Sequence, residues 1–88
     1  MSSIHHIKGP GLFETMDGQK HSLFYRLSVV RTKYGDSASG SAVFETYSPK
    51  IAERLTVTNE HGEIFECLVK EISNSSCRIV VDGKIPQS

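Results

Sequence analysis

The chain has 88 residues, with ten basic and ten acidic side chains and a formal net charge of zero. That length makes one domain and excludes a two-domain enzyme. Neutrality argues against a dedicated polyanion-binding domain, whose balance would be basic, though it leaves room for a local basic site.

No apolar run approaches the length of a membrane span, and no charged-then-apolar leader opens the chain, so a cytoplasmic protein is expected. The two cysteines, Cys67 and Cys77, form neither a C-x-x-C pair nor a zinc spacing. They are expected in the core as small apolar groups. Short runs of Ile, Val, Thr and aromatic residues favour an all-β class.

In chain order, residues 1–11 carry no apolar period and are expected to form an N-terminal arm, with the β core spanning 12–85. Neighbouring side chains of an extended segment point opposite ways and no third ligand is near, so His5-His6 is expected to be part of a solvated arm rather than a metal site. Leu12 to Met16 predicts a short strand, and Asp17-Gly18 a tight hairpin turn. His21 to Thr32 predicts a long strand, with Leu23, Tyr25, Leu27 and Val29 on one face and Phe24, Arg26, Ser28 and Val30 on the other.

Lys33 to Gly40 predicts a polar loop. Its Gly35-Asp36-Ser37 is similar to the nucleophile segment of chymotrypsin-like proteases, but those enzymes need two barrels and a His and an Asp brought together by them. Ser41 to Tyr47 predicts another strand. Ser48-Pro49 has the pattern of an N-cap followed by proline, which predicts one helical turn near 49–54.

The next stretch carries the clearest signal. Leu55-Thr-Val-Thr, the turn Asn59-Glu-His-Gly62 and the long run from Glu63 to Ile72 predict a hairpin. A three-residue loop with a left-handed glycine pairs Val57 with Phe65 and Leu55 with Cys67. It places Leu55, Val57, Phe65, Cys67 and Val69 on one inward face, whereas a one-residue slip would mix apolar and charged residues. Ile64, Glu66, Leu68 and Lys70 fall on the other face. After a Ser/Asn turn, Cys77, Ile79 and Val81 share one side of a further strand. Asp82-Gly83 marks a turn, and Ile85-Pro86 a short final pairing. The expected architecture is a small antiparallel barrel of five or six strands, or a strongly twisted sheet.

Lys50 to Val81 resembles the PilZ domains, which bind cyclic dinucleotides. That family carries Arg-x-x-x-Arg, then a strand pair, then Asp/Asn-x-Ser-x-x-Gly. Here the corresponding residues are Lys50-Ile-Ala-Glu-Arg54 and Glu71-Ile-Ser73-Asn-Ser-Ser76, followed by Cys77-Arg78-Ile79. Lys50, Glu71 and Ser76 stand where the family has arginine, an acid or amide, and glycine. The resemblance implies ligand contacts from Lys50, Arg54, Ser73 and Arg78, with guanidinium forks gripping phosphate and guanine edges. The same stretch is similar to the N-terminal RNA-binding barrel of ribosomal RNA methyltransferases that modify a uridine base.

No catalytic constellation, metal-ligand spacing or cofactor motif appears, so a non-enzymatic role without cofactor or metal is expected. The leading expectation is a protein-interaction or self-associating module that uses Phe24, Arg26, Ile64, Glu66 and Leu68, or an unpaired sheet edge. The second is a barrel binding a nucleotide or single-stranded nucleic acid, with Tyr25, Tyr34 and Tyr47 stacking bases and Arg26, Arg31, Lys33, Arg54 and Arg78 meeting phosphates.

Overall fold

The computed structural model describes residues 3–15, 18–45 and 53–87. They form six strands: β1 (Ser3–Glu14), β2 (Lys20–Thr32), β3 (Gly35–Phe44), β4 (Arg54–Asn59), β5 (Ile64–Ser73) and β6 (Ser76–Asp82). Every neighbouring pair is antiparallel, and the order β1-β2-β3-β6-β5-β4 closes into a barrel. No helix among the described residues is long and apolar enough to cross a membrane.

Period-two patterning decides which side chains enter the barrel. On β2, Leu23, Tyr25, Leu27 and Val29 are buried, while Phe24 and Arg26 point outward. The β4–β5 hairpin takes the expected register, Val57 opposite Phe65 and Leu55 opposite Cys67. Leu55, Val57, Phe65 and Cys67 are all buried, and Val69 packs against the same core. Inside, Phe13 meets Phe44 at 5.3 Å between ring centroids, and Tyr25 meets Phe65 edge-on at 5.2 Å. Such pairs add roughly 0.5–1.5 kcal/mol beyond burial. Both cysteines are free thiols in this core.

The ring closes with a stagger. One row of side chains runs from His6 through Ser28, Ser39, Val80 and Leu68 to Arg54. It does not return to His6, because β4 meets β1 only at Gly11, Leu12 and Phe13. Closing a sheet of few strands needs this slip, and it tilts the strands steeply to the barrel axis. Among the described residues, Ser3–Pro10 pairs on its β2 side alone.

Two expectations need correction. The N-terminal arm is strand from Ser3 onward, and it contributes Ile7 and Phe13 to the core. The loop expected over 33–40 shrinks to a turn at Lys33-Tyr34, with β3 beginning at Gly35. Small inward residues hid both strands. On β1 the inward positions include Gly9 and Gly11, and a Cβ on Gly11 would sit 2.7 Å from Val57 Cγ1. On β3 they include Ala38, Gly40 and Ala42, and a Cβ on Gly40 would sit 1.9 Å from the Arg26 carbonyl oxygen. Side chains of Tyr25, Leu23 and Val57 close over Gly9 and Gly11, whereas the backbone of β2 itself closes over Gly40. Of the helical turn expected near 49–54, residues 49–52 lie outside the described residues, Glu53 is a bend and Arg54 already belongs to β4.

Candidate functional site

One buried polar cluster fixes the end of the barrel next to the candidate site. Asn59 closes β4, is buried, and uses its whole amide. Its Oδ1 accepts from the backbone N–H of His61 at 3.0 Å and of Glu63 at 2.9 Å. Its Nδ2 donates to Glu63 Oε1 at 3.1 Å and to the Tyr25 hydroxyl at 3.3 Å. Glu63 Oε2 accepts from the Gln87 backbone N–H at 2.8 Å, which ties the C-terminal segment to the turn. Gly62 supplies the left-handed residue at φ 81°. Burial pushes the Tyr25 phenol above its ordinary pKa. The Asn59 hydrogen bond opposes that shift, and the nearby charges of Glu63 and Glu60 add to it.

Outside this cluster lies an apolar row. Pro10 stands opposite Phe24, and Phe24 opposite Val43. Leu12, two residues beyond Pro10 on the same face, stands opposite Thr58, and Thr58 opposite Ile64. Phe24 is 41% exposed, and Leu12, Val43 and Ile64 are more so. Pro10, Leu12, Phe24, Val43 and Thr58 line a groove of about 530 Å³, and its charged lining residues, among those described, are Glu45 and Glu60.

One step along the strands, toward the start of β1, the outer face turns basic. Lys8 stands opposite Arg26, Arg26 opposite Ser41, and Ser41 opposite Arg78. A shallow concavity of about 500 Å³ there is lined by His6, Lys8, Arg26, Ser28 and Ser41, among others. His6 Nδ1 is hydrogen-bonded to Ser28 Oγ at 3.0 Å.

The residues singled out from the sequence separate into groups. Phe24 and Arg26 are neighbours on this face, and Ile64 joins the apolar row through Thr58 and Leu12. Glu66 and Leu68 belong to another part of the wall. Glu66 pairs with Arg54, and Leu68 is half-buried between Arg54 and Val80. Arg54 is occupied, for its guanidinium bridges Glu66 at 3.0 Å and also contacts Asp82. Hydrogen bonds to Glu66 and Asp82 raise its pKa further, and the charges of both carboxylates add to that.

Ser73 closes β5, and its carbonyl accepts from the Ser76 hydroxyl at 3.2 Å. Arg78 lies mid-strand on β6, opposite Ser41 on one side and Glu71 on the other. Lys50 lies outside the described residues. Tyr25, with 1% exposure, cannot stack a base, while Tyr34 at 89% is open beneath the Lys33 ammonium. Tyr47 also lies outside the described residues.

Reading the sequence alone missed Lys8, Pro10, Leu12, Ser41 and Val43 as parts of this face. The missing signal was the β1–β2 register, which brings Lys8 and Pro10 beside Arg26 and Phe24. The chain matches no protein-family model, no curated protein and no solved structure.

Proposed function

We propose that this barrel is a small non-enzymatic binding module of the cytoplasm. It docks a protein segment against the apolar groove on the outer face of β1, β2 and β3. The observation that carries the reading is the continuous exposed row of Leu12, Phe24 and Val43, bordered by Glu45 and Glu60. An apolar core with a polar rim is the usual anatomy of a transient interface. The acidic border favours a partner whose apolar anchors are flanked by Lys or Arg.

A direct test is nuclear magnetic resonance shift mapping with a short peptide of alternating Leu and Lys, against a control of alternating Leu and Glu. The Leu/Lys peptide is expected to shift the amides of Leu12, Phe24, Val43 and Thr58, and Phe24→Asp to abolish those shifts. Equal shifts with both peptides, or none at millimolar peptide, would refute the proposal. Sedimentation in parallel shows whether a second copy of the chain takes the same place.

A further inference from the structure

The basic row next to the groove has a chemistry of its own. Lys8, Arg26 and Arg78 are exposed, and Ser41 joins them across the outer face of four neighbouring strands. Among the described residues the ion pairs are Arg31–Asp36, Arg54–Glu66, Arg54–Asp82 and His61–Glu60, and none involves these three cations. Lys8 and Arg26 face each other directly, an arrangement of like charges that disfavours folding. It stands in a chain with as many acids as bases, so neutral composition conceals a concentrated positive strip. Glu71, the cross-strand neighbour of Arg78, is the acid of this row, and it sits at its far end.

The geometry points to a binding site for the phosphates of a single-stranded nucleic acid along Lys8, Arg26 and Arg78. Adjacent strands lie about 4.8 Å apart, so the row from Lys8 to Arg78 extends about 15 Å over three inter-strand steps. That length suits several phosphates of one chain better than one isolated phosphate. Two of the three cations are arginines, whose planar forks match phosphate oxygens. Ser28 and Ser41 add hydroxyls to the concavity between Lys8 and Arg26. The tight approach of Gly40 to the Arg26 carbonyl keeps β2 and β3 close and leaves no room for an inward side chain there.

The test is fluorescence anisotropy of a labelled single-stranded oligouridylate with the full chain, as a function of salt. Three phosphate contacts to a single strand give a slope of log K against log salt near −2. Arg26→Gln and Arg78→Gln are each expected to weaken binding about eightfold at 50 mM salt and to reduce the slope by about 0.7. Arg54→Gln and Lys84→Gln are the controls, and binding should hold in both. Thermal melts accompany each variant. Arg26→Gln removes a like-charge contact, so it should melt no lower than the parent, which separates lost binding from lost folding.

Adenosine monophosphate and inorganic phosphate serve as competitors. If either displaces the oligonucleotide at equal concentration, the site takes a lone phosphate and the strand proposal fails. It fails equally if no salt-dependent binding appears, or if Arg54→Gln weakens binding as much as Arg26→Gln does.

Discussion

Replacing Asn59 with alanine isolates what one side chain contributes to the closed end of the barrel. The backbone bonds of the turn, Asn59 N–H to the Glu63 carbonyl and Gly62 N–H to the Asn59 carbonyl, do not depend on that side chain. The variant therefore keeps a hairpin and loses the amide. Three good hydrogen bonds vanish, those from the His61 and Glu63 amides and that to Glu63 Oε1, together with the longer one to Tyr25. At a net ~0.5–1.5 kcal/mol each, the loss is about 3 kcal/mol.

For a domain of this size that lowers the melting temperature by roughly 12–24 °C. Urea unfolding followed by circular dichroism gives the free energy by linear extrapolation. Asn59→Asp retains both acceptor bonds while setting a carboxylate beside Glu63, so it should fall between the parent and alanine. If Asn59→Ala unfolds within about 0.5 kcal/mol of the parent with the same urea dependence, the amide does not hold the turn and the reasoning is wrong.

Two further perturbations test the barrel. Gly40→Ala puts a methyl group 1.9 Å from the Arg26 carbonyl oxygen, where the obstacle is backbone. It is expected to cost about 3 kcal/mol or more by forcing β2 and β3 apart, read as a lowered urea midpoint, and an unchanged midpoint would show that the strands are not pinned there. The thiols predict an alkaline limit. Burial pushes Cys67 up to about 12 and Cys77 up to about 11 from an ordinary 9.0. Their contribution is whole below pH 9, where both states hold the proton. It is lost as pH rises toward those folded values, because the unfolded thiols ionise first. Unfolding free energy should fall steadily above pH 9, by up to about 1.4 kcal/mol per pH unit for each thiol, and the melting temperature with it. The Cys67→Ala/Cys77→Ala double variant should flatten that decline, though Tyr25 adds its own share above pH 10. An equally steep decline in the double variant would overturn the assignment.

How legible each strand was depended on the size of its inward residues. β2 and the β4–β5 hairpin alternate large apolar with polar residues, and their faces and register could be read directly from that pattern. β1 turns Gly9 and Gly11 inward, and β3 turns Ala38, Gly40 and Ala42 inward. Such residues give period-two reasoning nothing to detect, and by composition these segments resemble arm and loop. Their inward faces make sense only beside Tyr25, Leu27 and Val57, which come from other strands.

The candidate face was half legible for the same reason. Phe24 and Arg26 stand out on the polar side of a clear strand. Lys8, Leu12 and Val43 join them only through pairings that no local pattern encodes. Arg54 shows the converse limit. It was singled out as a ligand contact, but the fold surrounds it with Glu66 and Asp82, a juxtaposition set by the β4–β5 and β5–β6 registers.

The contact between β1 and β4 is only three residues long, at Gly11, Leu12 and Phe13. It acts as the clasp of the molecule. Releasing it leaves every other strand pairing in place and uncurls the ring into one open ribbon, with β1 at one end and β4 at the other. Solvent deuterium should therefore reach the amides of Leu12 and Thr58, which face each other across that seam, sooner than the middle of β2. Two chains that unfasten together have a ready way to exchange ends and refasten as a linked pair.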